Sequence, residues 1–111
     1  MTYKVEITPN FAKEFKPLAK KYRSLVSDLA KLITALEQNP EIGTPIGHSC
    51  YKIRLGIKSK GRGKSTGGRV ITQVFIADRT VYLVSIYDKS EQLTITDSEL
   101  LQLIREIRPK E

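Results

Sequence analysis

Residues 69–87 read Arg69-Val-Ile-Thr-Gln-Val-Phe-Ile-Ala77, then Asp78-Arg79, then Thr80-Val-Tyr-Leu-Val-Ser-Ile-Tyr87. Both runs are rich in β-branched and aromatic residues, which suit a pleated, buried surface. The polar turn between them is short enough to predict an antiparallel hairpin. Upstream, Tyr51–Leu55 alternates apolar and charged side chains and predicts another strand. Its alternation sets Tyr51, Ile53 and Leu55 on one face, packed on helices, and Lys52 and Arg54 on the other. Between these strands, Gly56–Gly68 holds five of the seven glycines and reads as a mobile, charged loop.

Further out the period changes from two to about 3.6. Tyr3–Ile7 alternates and predicts a first strand. Thr8 and Pro9 then form a helix start, with Pro9 at the first helical position. Phe11, Phe15, Leu18, Ala19 and Tyr22 fall on one helical face. Pro17 lies inside that pattern and predicts a kink or an early stop near Phe15. Ser24 is placed to cap a second helix through Gln38, with Leu25, Leu29, Leu32, Ile33 and Leu36 on its apolar face. Asn39-Pro40 ends it, and residues 41–50, with Gly43, Pro45 and Gly47, read as a loop. At the other end, Thr96-Asp-Ser-Glu99 is a capping box for a last helix to about Arg108. Leu100, Leu103, Ile104 and Ile107 share its apolar face. The predicted fold is one α+β domain over residues 1–111. Its order is strand–helix–helix–three strands–helix, with the helices packed on a mostly antiparallel sheet.

The 111 residues are 40% hydrophobic and 28% charged, which fits an ordinary globular domain and excludes disordered, collagen-like and disulfide-stapled classes. No apolar run is long enough for a membrane span, and the first ten residues lack the apolar core of a signal peptide. A single cysteine, Cys50, points to a reducing cytoplasm. The net charge is +7, and it is localised. Between Glu41 and Asp78 there is no acid, but there are Lys52, Arg54, Lys58, Lys60, Arg62, Lys64 and Arg69. The rest of the chain is balanced. Such segregation costs stability through self-repulsion and implies a polyanionic partner. Nucleic acid is the first candidate, an acidic protein the second and an anionic membrane surface a distant third.

Several motifs fail on inspection. Gly63-Lys64-Ser65 imitates the end of a phosphate-binding loop, but the required earlier glycine is Lys58 and the segment leads into a strand instead of a helix. His48 and Cys50 are the only residues of their types and read as a loop histidine beside a half-buried cysteine. No metal-ligand spacing occurs. Asp78, Asp88, Glu91 and Asp97 are scattered over a turn, a strand end and a cap, which does not suit a two-metal nuclease.

The stretches Tyr51-Lys-Ile-Arg-Leu55, Gly67-Gly-Arg-Val-Ile71 and Val81-Tyr-Leu-Val-Ser-Ile-Tyr-Asp-Lys89, in this order and spacing, resemble the RelE/HigB group of toxins within the RelE/ParE superfamily. The long basic insert 56–66 is similar to the HigB-like branch. The resemblance spans residues 3–108 and implies a RelE-like fold. It also implies a metal-independent endoribonuclease that cuts mRNA in the ribosomal decoding site and so inhibits translation. No cofactor or metal is implied. The implied partners are the ribosome, its mRNA and an acidic antitoxin, in a toxin–antitoxin hetero-oligomer. Lys52 and Arg54 match the family's paired cations, Arg69 its arginine at the start of the next strand, and Lys89 its basic residue after the last strand. Where the family often has a tyrosine further on, this chain has Leu93, Thr94 and Ile95, and Tyr87 is the nearest phenol.

Metal-free RNA cleavage uses the neighbouring 2′-hydroxyl and needs a base, charge stabilisation and a proton donor for the leaving 5′-oxygen. Lys52 is the candidate base. Arg54 and Arg69 would hold the phosphate through their planar forks, and Lys89 or Tyr87 would assist the leaving group. Lys58, Lys60, Arg62 and Lys64 are candidate RNA contacts. Two other functions share parts of this pattern: a ParE-like gyrase inhibitor, and a non-catalytic RNA- or ribosome-binding module.

Overall fold

The β-rich hairpin occupies the middle of the sheet. In the computed structural model, which describes residues 2–60, 67–92 and 94–107, the elements are β1 (Lys4–Ile7), α1 (Pro9–Lys21), α2 (Leu25–Gln38), β2 (Thr44–Gly47), β3 (Cys50–Leu55), β4 (Gly68–Phe75), β5 (Thr80–Asp88) and α3 (Asp97–Arg105). The sheet runs β1-β5-β4-β3-β2, with β1 parallel to β5 and all other pairs antiparallel. Strands β4 and β5 are buried almost throughout because both sheet faces are covered.

On one face lie α1 and α2. Phe11, Leu18, Leu25, Leu29, Leu32 and Leu36 pack on Ile53, Leu55, Val70, Val74, Val81, Leu83 and Ile86. On the other lies α3, whose Leu100 packs with Cys50, Ile71, Val84 and Tyr87, flanked by Leu103, Ile104 and Ile107. Both helical stripes and the inward face of β3 are as the sequence predicts. The capping box of α3 is also present, with the Glu99 N–H donating to Thr96 Oγ1 at 3.1 Å and the Thr96 N–H donating to Glu99 at 2.9 Å.

The α1 N-terminus is fastened to an irregularity in β5. Ile71 faces Ser85 but Thr72 faces Leu83, so Val84 is an extra, bulged residue. Glu14 accepts from the Ser85 hydroxyl at 2.7 Å and from the Ile86 N–H at 3.3 Å. Asn10 donates to the Val84 carbonyl at 3.0 Å. Side chains of α1 thus bond backbone groups at and beside the bulge.

Four local expectations are corrected. Helix α1 runs unbroken through Pro17. The carbonyl deprived of its donor is that of Lys13, and both residues lie on the exposed side of the helix, where a missing backbone bond costs least. Ser24 makes no capping bond; its hydroxyl donates to Asp28 at 2.7 Å instead. The expected loop 41–50 contains the edge strand β2, too short, polar and irregular at Pro45 and Gly47 to show period-two alternation. Within the expected loop 56–68, Lys58–Lys60 form a 3₁₀ turn docked on the α1–α2 corner: the Lys58 N–H donates to Asp28 at 3.1 Å and the Ser59 N–H to the Ser24 hydroxyl at 2.8 Å.

Candidate nucleic-acid interface

Strand register assembles the site. Arg54 on β3 faces Arg69 on β4, and Arg69 faces Tyr87 on β5. Directly opposed residues point to the same face, with Cβ atoms about 5 Å apart. Two guanidinium groups and a phenol therefore form one row across three strands. Lys52 lies two residues from Arg54 on the same face, about 7 Å along the strand. The row sits beside the patch that α3 covers, and Tyr87 borders both. Lys89 follows the last residue of β5, and its N–H donates to the Gly67 carbonyl at 3.1 Å.

The members differ in exposure. Arg54 is exposed and Lys52 half-buried. Arg69 is only 3% exposed, and its Nη1 donates to the Gly68 carbonyl at 3.0 Å. Burial pushes the Tyr87 phenol up from its ordinary range, while the nearby Thr94 hydroxyl and the Arg69 charge offset part of that. The Tyr87 hydroxyl is buried without a hydrogen-bond partner of good geometry among the described residues. It is a neutral O–H beside buried positive charge, able to give a proton but already stripped of water.

The other candidates are placed differently. Lys60 is not on the row: its Nζ lies 2.9 Å from Asp88 Oδ1, with side-chain exposures of 11% and 0%. Lys58 is exposed on the 3₁₀ turn. Arg62 and Lys64 lie outside the described residues. His48 sits in the β2–β3 turn with φ of 57°, at the opposite end of β3 from Arg54. Cys50 belongs to β3 and is fully buried, and burial pushes its thiol up to about 11. Gly67 packs closely on β3, since a Cβ there would meet the Leu55 carbonyl at 2.4 Å. Among the described residues, no three His, Cys, Asp or Glu side chains come together as a metal cluster. No helix there is long and apolar enough to cross a membrane.

Sequence reasoning missed Asp88. Its carboxylate accepts from the Tyr22 hydroxyl at 2.5 Å, Lys60 at 2.9 Å, the Ser90 N–H at 2.9 Å and the Ser90 hydroxyl at 2.8 Å. Burial alone would raise its pKa, but these bonds from Tyr22, Lys60 and Ser90 overcome that and hold it well below the usual carboxylate range. The one available signal was an acid placed between Tyr87 and Lys89 at a strand end.

Fold and site together define a class: small basic α+β proteins with a helix pair on one sheet face, a single helix on the other, and a row of cations across the sheet beside that single helix. The chain belongs to the RelE toxin family, whose model, described as the RelE toxin of the RelE/RelB toxin–antitoxin system, matches residues 7–108. Solved structures agree on the fold. The free Escherichia coli toxin RelE, as an arginine-to-alanine double mutant, is 22% identical with a TM-score of 0.64, over 97% of this chain and 100% of that one. The toxin–antitoxin complex RelBE2 of Mycobacterium tuberculosis matches at 15% identity and a TM-score of 0.60, over 79% of this chain and 99% of that one. The intact E. coli RelBE complex matches at 24% identity and 0.57, over 78% and 95%.

Proposed function

We propose that this toxin is a metal-independent endoribonuclease that cuts mRNA in the decoding site of the ribosome and is neutralised by an acidic antitoxin. The observation that carries the proposal is the cross-strand row Arg54–Arg69–Tyr87 with Lys52 beside it. In the proposed reaction the 2′-hydroxyl attacks the adjacent phosphorus, Lys52 takes its proton, and the bond to the 5′-oxygen breaks. The products are a 2′,3′-cyclic phosphate and a 5′-hydroxyl. Arg54 contacts the phosphate from the solvent side. Arg69, behind it, supplies positive charge from a dry position, where each charge-stabilising contact is worth most. Tyr87 or Lys89 gives the proton to the leaving oxygen, and the raised phenol keeps Tyr87 in its donor form.

The proposed set contains no histidine, the usual acid–base group near neutral pH, so positioning must supply much of the rate. That favours a substrate held by the ribosome over naked RNA. The net charge of +7 and the antitoxin complexes of the relatives support an acidic protein partner in a hetero-oligomer.

The test is brief induced expression followed by mapping of mRNA 5′ ends. The expected result is arrested protein synthesis with new ends inside reading frames. Arrested replication with intact messages would point to a gyrase inhibitor, and salt-sensitive RNA binding without new ends to a non-catalytic module. Either would overturn the proposal.

A further inference from the structure

Residues 87–89 carry a phenol, a carboxylate and an ammonium in succession, and the carboxylate turns away from the row. Asp88 is fully buried on the α1 side of the sheet, in the network with Lys60, Tyr22 and Ser90. Its carbonyl also accepts from the N–H groups of Glu91 and Gln92, each at 3.0 Å, fixing the chain as it leaves β5. Lys60 Nζ lies 5.3 Å from the Tyr22 ring centroid, so the ring and the carboxylate share the ammonium.

The described residues that flank the basic segment 61–66 both end at this point. Lys60 is held by the Asp88 side chain. Gly67 is held through its carbonyl by the Lys89 N–H at 3.1 Å, and Gly68 pairs with Asp88 in the ladder. The same short stretch of β5 thus fixes the entry and exit of the basic segment and the placement of Tyr87 and Lys89.

We infer that Asp88 is a positioning residue of the cleavage site: with Lys60 and Tyr22 it locks the β5 terminus so that Tyr87 stands in register with Arg69 and Arg54, with Lys89 directly after it, and so that Lys60 and Gly67 are anchored at the same point. The inference rests on the endoribonuclease reading above. A buried ion pair is a poor way to gain stability, because desolvation consumes most of the attraction. Its use here is geometric. It holds one arrangement of three chain segments, while an apolar replacement of similar volume would hold them less specifically. Asp88 touches no substrate and acts through its neighbours in the chain. A displacement of about 1 Å in catalytic groups can cost on the order of 100-fold in rate.

The experiment uses the whole chain and programmed ribosomes, with single-turnover cleavage and ribosome affinity measured separately. The variants are Asp88→Asn, Lys60→Met, their double and Lys60→Arg, each assayed well below its melting temperature. The single-turnover rate should fall at least about 10-fold in each of the first two, with ribosome affinity within about twofold of wild type. The double variant should be no worse than Asp88→Asn, and Lys60→Arg should recover most of the rate. Should Asp88→Asn fail to fold, Tyr22→Phe removes one bond to the carboxylate and should show a smaller rate loss in the same direction. Folded variants that cut at the wild-type rate, or lose affinity without losing rate, would overturn the positioning role while leaving the endoribonuclease reading intact. A wild-type chain that cuts nothing would overturn both.

Discussion

Replacing Arg54 by Gln should make the protein more stable and less active. Arg54 and Arg69 are directly opposed across β3 and β4, and Arg69 is nearly dry. Opposed residues on neighbouring strands set the separation of the two charges on the order of 8 Å. At an effective dielectric constant of about 40, between the surface and bulk-water values, the repulsion is about 1 kcal/mol. Gln keeps most of the stem and a polar head while removing the charge. For a chain of this size 1 kcal/mol corresponds to a rise of about 4 °C in melting temperature. The gain must depend on salt, because screening acts over about 30 Å in 10 mM salt but only about 3 Å in 1 M. Thermal melts of both proteins at these two extremes provide the assay. The variant should melt higher in low salt, and the gap should close in high salt. Cleavage of ribosome-bound message should fall at least about 10-fold, the scale of one charge-stabilising contact. A variant that melts lower in dilute buffer, or one whose gap ignores salt, would refute the idea that the row stores repulsion for a phosphate to relieve.

Other parts of the fold make separate predictions. The Thr72 hydroxyl is fully buried without a partner among the described residues, so Thr72→Val should raise the free energy of unfolding by about 1 kcal/mol in urea titrations; an unchanged or lower value would show that the hydroxyl is satisfied. Cys50 is 1% exposed and its thiol is pushed up to about 11, so a disulfide reagent at mildly alkaline pH should label it only after denaturation, and prompt labelling of the native protein would contradict the burial. Asp88 has a depressed folded-state pKa, so its stabilising effect is complete above the unfolded carboxylate value near ~4 and fades as the pH falls below it. The melting-temperature difference between wild type and Asp88→Asn should therefore be constant near neutrality and shrink in acid; a difference that grows in acid would reverse the sign of the linkage.

The elements with clean periodicity were legible in the sequence. The alternation of β3 gave its two faces, and the stripes of α1 and α2 gave the helical core. What escaped has physical causes. Pro17 and Lys13 lie on the exposed side of α1, where the helix tolerates the missing bond, a matter of tertiary exposure rather than of local sequence. Strand β2 is four residues long with a proline, a glycine and a register shift, which leaves little pattern to read. The row of Arg54, Arg69 and Tyr87 was foreseen as a set of residues, but their alignment depends on register, and that follows from where the ladder starts. Lys60 shows the limit most plainly. By composition it belonged with the other cations of the basic stretch, yet it is paired with a carboxylate 28 positions away, which no local pattern announces.

The central claim is that the cross-strand row cuts RNA, as opposed to general positive charge binding it. The most direct measurement compares two variants of equal net charge, Arg69→Ala on the row and Lys31→Ala on the exposed surface of α2, by the rate at which 5′-hydroxyl ends appear in message held on translating ribosomes with divalent metal limited to what the ribosomes require. The account predicts a loss of at least about 10-fold for Arg69→Ala and a wild-type rate for Lys31→Ala. Equal rates for the two variants would contradict it.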